Sequence, residues 1–312
     1  MNWELFTGSG EPRQDPTRPG EEKWQRIPPL RSWRRRTADS APDFVMPLDL
    51  KDAVNAALHL RRPLLLSGGA GSGKSTLIDV IARELQLDEV LRWHVTSKST
   101  LGDALYSYDA LGRLHASQAG DDDTVEKFVR LGPLGTALAA PKIRAVLIDE
   151  IDKSDLDLPG DLLNVMEGGE FPIPVLERAQ RGRPLEVTGD DGERYTVDAD
   201  GTVRGREFPV IVFTSNGERA FSPPFLRRCV RFEIKAPDAK ELEEIVAAHL
   251  KNRAAATERK AIEAFAARLG DDQALAVNQI LEFVCLVTGD SPPEGESRRI
   301  VEDILLKTLS GI

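Results

Sequence analysis

Residues 68–76, which read GGAGSGKST, constrain the fold more than any other part of the chain. An apolar segment at 63–67 leads into them, and Leu77, Ile78, Ile81 and Leu85 follow at helical spacing. A strand that turns through glycines straight into a helix gathers backbone N–H groups and the positive end of the helix dipole at one point. The spacing fits G-x-x-x-x-G-K-[ST] through Gly68, Gly73, Lys74 and Ser75. In that pattern Gly68, Gly69, Ala70, Gly71, Ser72 and Gly73, continuing into Lys74, Ser75 and Thr76, wrap phosphate oxygens. Lys74 is expected to reach the β- and γ-phosphates of a nucleotide, and Ser75 to ligate Mg²⁺.

A second apolar run, Ala145 to Ile148, ends in two adjacent acids, Asp149 and Glu150. Carboxylates at the end of a buried strand need a cation, a water or a cationic partner. A nucleotide site supplies the first two: Asp149 is placed to hold Mg²⁺, often through water, and Glu150 to polarise the attacking water as general base. Asp152, Asp155 and Asp157, close behind, are expected to be solvated or to cap a helix.

Around these two segments, strands are expected at 90–96, 209–216 and 229–234, and a helix from about Asp49. Strands separated by helices indicate an α/β fold, a parallel sheet covered on both faces. Residues 185–203 alternate and carry two turn signals, so they read as an inserted β-hairpin. DADG at 198–201 is a turn, too short for a calcium loop. From Asp238 the pattern is helical: DAKE resembles a capping box opening a helix through Leu250, and further amphipathic stretches cover about 258–269, 273–288 and 297–309. The domains expected are an extended arm at 1–45, an α/β nucleotide-binding domain at 46–236 and a small helical lid at 237–312. Trp3, Trp24, Trp33 and the arginines of 31–36 lie in the arm. His94 on the second strand is expected to be an ordinary strand-end or core residue.

GGAGSGKST, VLIDEIDKSDLDLPGDLLNVMEGGEF, VIVFTSN and FSPPFLRRCVRFEI, in this order and with RWHVTSKSTLGDALYSYDALGRL and RLGPLGTALAAP, cover most of residues 48–236. This set resembles the P-loop AAA+ ATPases, and within them the MoxR-like branch found beside von Willebrand factor A-domain proteins in bacterial conflict gene clusters. The resemblance implies ATP hydrolysis with Mg²⁺ in a ring, a hexamer, that remodels or activates a protein partner, with a von Willebrand factor A-domain protein as the candidate. It makes Asn216 the polar residue that orients the attacking water. It makes Arg227 or Arg228, with a lean to Arg228, the arginine finger that reaches a neighbour's nucleotide. Residues 99–133 correspond to the helix-2 insert and 171–208 to the pre-sensor hairpin, where Tyr106, Tyr108 and Phe171 are candidates either for partner contact or for ordinary packing. One departure stands out: the sensor-2 arginine of many relatives falls here near Asn278 or Gln279, where no basic residue occurs.

The totals narrow the partners. The formal charge of −10 over 312 residues does not favour nucleic acid. No apolar run reaches the roughly 20 residues of a membrane span, and the first residues lack a signal peptide's basic start and apolar core. With its two cysteines, Cys229 and Cys285, read as buried free thiols, the chain is expected in the cytoplasm. Two alternatives remain beside the remodelling motor. One is a nucleotide-gated assembly platform in a bacterial defence system with little turnover, favoured by the missing arginine. The other is a DNA-linked, restriction-type motor, kept open by the basic arm.

Overall fold

The structure, a computed structural model, describes residues 44–179, 182–250, 258–271, 276–289 and 292–306. The arm expected at 1–45 lies outside these residues except for its last two. The chain divides into two compact units. One holds residues 46–68 and 73–235; the other contains 236–312 and the short loop 69–72.

The larger unit opens with α1 (Leu48–Leu60), β1 (Leu64–Gly68), α2 (Lys74–Glu84) and β2 (Leu91–His94). In α2 the apolar face expected from the spacing is buried at Leu77, Ile78 and Ile81, whereas Leu85 is 45% exposed. Leu85 sits one residue past the last helical turn, at the C-cap, where the helical period no longer fixes its direction. Residues 101–139 follow as α3 (Leu101–Leu105), β3 (Tyr106–Tyr108), α4 (Ala110–Ala119), β4 (Val129–Leu131) and α5 (Pro133–Ala139). Then come β5 (Ala145–Asp149), α6 (Leu158–Gly168), β6 (Glu170–Pro172), α7 (Pro174–Glu177), β7 (Leu185–Thr188), β8 (Arg194–Val197) and β9 (Thr202–Arg204). The unit closes with β10 (Val210–Ser215), α8 (Pro223–Arg228) and β11 (Val230–Ile234).

The main sheet has the order β11-β1-β10-β5-β2, and every pairing is parallel. The α/β class follows from the sequence: parallel neighbours need crossovers long enough to hold a helix, and helices on both faces demand apolar strands. β5 meets that demand with four buried residues before Asp149. The order also brings the C-terminal ends of β1, β10, β5 and β2 side by side, which is where open parallel sheets present their binding crevice.

The hairpin appears as β7 and β8, antiparallel in the register Leu185↔Val197 to Thr188↔Arg194. It joins the insert strands to form a second sheet, β3-β4-β7-β8, through a parallel bridge between Arg130 and Thr188. Expected as two separate features, the insert and the hairpin are thus one structure. Phe171 is 3% exposed and Tyr106 and Tyr108 are partly buried, all three packed in or against the main core, so packing accounts for them. Arg144, just before β5, is 4% exposed. It donates to Asp191 Oδ2 at 2.7 Å, to the Tyr195 hydroxyl at 2.8 Å and to the Glu89 carbonyl at 3.1 Å. That buried guanidinium pins the hairpin to the sheet.

In the second unit, α9 (Ala239–Leu250), α10 (Arg259–Asp271), α11 (Val277–Val287) and α12 (Gly295–Leu305) bury Leu242, Ile262, Phe265, Ile280, Phe283 and Val284 among others. The capping box forms: Glu241 N–H donates to Asp238 Oδ1 at 2.8 Å and Asp238 N–H to Glu241 Oε2 at 3.0 Å. Gln279, one of the two residues at the position where the resemblance leads one to expect an arginine, accepts from Ala276 N–H at 2.8 Å and donates to the Leu305 carbonyl at 3.0 Å. Its amide is committed to tying α11 to α12. Both cysteines are buried, and neither forms a disulfide. Among the described residues no helix is long and apolar enough to cross a membrane.

Candidate nucleotide site

β1 ends at Gly68, whose φ of +147° puts any Cβ 2.5 Å from the Ile234 carbonyl oxygen of β11. Only glycine lets the two strands pair this closely at the start of the loop. Gly71 and Gly73 also take positive φ, 71° and 83°, and Gly73 is the N-cap of α2. Gly69, Ala70 and Gly71 are exposed, while Ser72 Oγ is buried with no hydrogen-bond partner among the described residues. Thr76 N–H donates to the Gly73 carbonyl.

Lys74 opens α2 and is 6% exposed. Its ammonium donates to the Gly68 carbonyl at 2.8 Å. Burial lowers its pKa, against the opposing pull of Asp149, Asp152 and Glu150. A buried ammonium at the start of a helix, where backbone N–H groups also point, suits the binding of phosphate oxygens.

Asp149 ends β5. Ser75 Oγ donates to its Oδ1 at 2.7 Å, and Thr214 of β10 donates to the same oxygen at 2.6 Å. Thr214, 1% exposed, also accepts the Glu150 N–H at 2.9 Å. One hydroxyl therefore fixes both acids. Glu150 adopts the left-handed conformation, φ 59° and ψ 45°, uncommon for a residue with a side chain. The turn directs its carboxylate to Lys153 Nζ at 2.7 Å, His94 Nε2 at 3.3 Å and Asn216 Nδ2 at 3.4 Å.

Lys74, Ser75, Asp149, Glu150 and Asn216, distant in sequence, thus converge at the C-terminal ends of β1, β5 and β10. One neighbour is as expected and gains a contact, and another departs from expectation. His94 ends β2, the strand-end residue expected, and it lies beside Glu150 because β2 pairs with β5 in the register His94↔Asp149. Asp152, expected to be solvated or capping, is 4% exposed and accepts backbone hydrogen bonds from Asn216 and Glu218 at 2.9 and 3.0 Å. The strand order was the missing signal in both cases.

Arg227 and Arg228 end α8, and no hydrogen bond or ion pair joins either to Glu150. Arg228 Nε lies 3.0 Å from Glu167 Oε1 of α6, with Asn164 Oδ1 3.5 Å from its Nη1. Arg227 is exposed and makes no ion pair among the described residues. The site's chemistry fits a magnesium nucleotide: a hydroxyl and a carboxylate oxygen 2.7 Å apart for the cation, and a lysine and a helix N-terminus for the phosphates.

No protein-family model matches the sequence, and no curated protein matches it. Among solved structures the chain is similar to the cryo-EM reconstruction of closed-state Hsp104 with ATPγS and FITC-casein, at 19% identity and a TM-score of 0.43. The likeness covers 75% of this chain and 43% of that one, so the chain spans less than half the length of its match.

Proposed function

We propose that this chain is an ATPase of the AAA+ type, of the MoxR-like branch, that hydrolyses ATP with Mg²⁺. The observation that carries the reading is the convergence of Ser75 on Asp149 beside Lys74, with Glu150 held within reach of Asn216. Residues 68–76 bind the phosphates, and Lys74 neutralises their charge. Ser75 and Asp149 would hold Mg²⁺, which offsets the charge that develops on the phosphate oxygens. Glu150 takes the proton from the attacking water, and Asn216 fixes that water's position.

Of the two arginines, Arg227 is the better finger. Arg228 is engaged within its own chain, while Arg227 is exposed and available to a neighbour. This reverses the lean drawn from sequence. A finger supplied in trans makes the site complete only in an assembly, so the reading includes a ring, a hexamer, that couples turnover to remodelling of a partner protein. The family resemblance points to a von Willebrand factor A-domain protein as that partner, and to the cytoplasm.

A second reading is supported by Lys153 and Gln279. Lys153 ties up the carboxylate of Glu150, and Gln279 is occupied inside the helical unit. Both suit a platform that assembles on binding ATP and turns over little. Sizing the protein with and without ATP and Mg²⁺, alongside fluorescent-nucleotide binding by the wild type and Lys74→Ala, tests the shared core of both readings. Binding lost in Lys74→Ala is expected; equal binding by both proteins overturns the site.

A further inference from the structure

We propose that Asp152 is a positioning residue for the hydrolysis assigned above: its carboxylate grips the backbone after β10 and so holds Asn216 against Glu150. The inference rests on the ATPase reading and names a residue that reading does not use.

Asp152 lies in the single turn of 3-10 helix at Ile151–Lys153, directly after Glu150. Its Oδ2 receives the N–H groups of both Asn216 and Glu218, at 2.9 and 3.0 Å. Two peptide N–H donors converging on one carboxylate oxygen are charge-assisted and geometrically strict. Between them Gly217 takes a φ of +80°, the bend that turns both donors toward the same acceptor. The side chain of Asn216 then meets Glu150 Oε1 at 3.4 Å. The path from Asp152 through the 216–218 turn to Glu150 is made by hydrogen bonds at both ends and closes through the backbone of residues 150–152.

The other carboxylate oxygen, Oδ1, is buried and has no hydrogen-bond partner among the described residues. An unpaired buried carboxylate oxygen is costly, and stability alone does not account for keeping it. Both gripped groups are donors to one oxygen, so the position needs an acceptor oxygen there, which a carboxylate supplies in either rotamer and an amide in one.

The test measures steady-state phosphate release and equilibrium ATP binding for the wild type, Asp152→Ala, Asp152→Asn and Asn216→Ala, and for both Asp152 variants combined with Asn216→Ala. Asp152→Ala is expected to lower kcat by about 10- to 100-fold, as misplacement of a catalytic group by about an ångström does, with ATP affinity within about twofold. Asp152→Asn keeps an acceptor oxygen at the Oδ2 position and is expected to stay within about fivefold of wild type. In the Asn216→Ala background the alanine change is expected to cost no more than about twofold, because two changes on one path are not additive. A melting curve identifies an unfolded alanine variant, and the asparagine variant then decides: turnover near wild type supports the grip, and a loss of tenfold or more with ATP binding intact overturns it. A wild-type kcat in Asp152→Ala, or an equal loss in both backgrounds, overturns the role while the ATPase reading stands. No turnover by the wild type with its partner present overturns both.

Discussion

Glu150 and Arg227 show what single residues contribute. Glu150 carries a left-handed backbone and three side-chain partners, and such strain persists only where the surroundings over-determine it. The two acids were legible in the sequence because an apolar strand running into carboxylates is a local pattern. Asp152 was misread because its burial depends on β10 lying beside β5, a pairing of residues more than 60 positions apart. The arginines could not be told apart from sequence, since the ion pair that occupies Arg228 comes from α6. Arg227→Ala is expected to lower turnover by about a thousandfold and to leave the melting temperature unchanged. Arg228→Ala is expected to lower the melting temperature slightly, since a half-exposed pair is worth at most about 1 kcal/mol. Phosphate release and thermal melts on the two variants check both statements, and a reversed pattern restores Arg228 as the finger.

At the level of elements, the hairpin and the insert are the part the sequence disclosed least. Strand alternation marked β7 and β8, yet nothing local announced that β4 would pair with β7, because a sheet assembled across about 60 residues leaves no periodic trace. What holds it is Arg144. The Asp191 carboxyl is pushed up by burial, but the hydrogen bonds from Arg144 and Tyr195 outweigh that and hold it below the ordinary carboxylate range. Arg144→Met strands Asp191 and is expected to cost about 3–5 kcal/mol in urea unfolding, with part recovered in the double variant with Asp191→Asn. Undiminished stability in Arg144→Met would remove the pin from the account.

Two neutral groups set the alkaline limit of this unit. Burial and the hydrogen bond to Asp191 push the Tyr195 phenol up to about 12, and burial pushes the Cys229 thiol up to about 12. Both hold their protons more tightly folded than unfolded. Their contribution is therefore whole below their ordinary values of 10.0 and 9.0 and is lost as pH climbs towards 12. Melting temperature is expected to fall between pH 9 and 12, and less steeply in a Tyr195→Phe, Cys229→Ala double variant that starts lower. An equal slope in the two proteins would assign the decline to other groups.

For the whole molecule, the parallel sheet and the helical second unit were legible because strand–helix alternation and capping residues are written locally, as in DAKE and its capping box. The proposed partner and ring cannot be read from one chain, because both would depend on surfaces that a second molecule completes. The acidic total of −10 bears on them only by disfavouring nucleic acid.

The central claim is that Glu150 activates water at a site built by Lys74, Ser75 and Asp149. Its most direct test is phosphate release from ATP with Mg²⁺ by the wild type and by Glu150→Gln, with ATP binding and particle size followed in the same samples. Steady release by the wild type, reduced about 10²- to 10⁴-fold in the variant while both bind ATP and assemble alike, is the predicted result. Equal release by the two proteins would contradict the assignment of the base. ATP-driven assembly without release from either would contradict the motor and leave the gated platform.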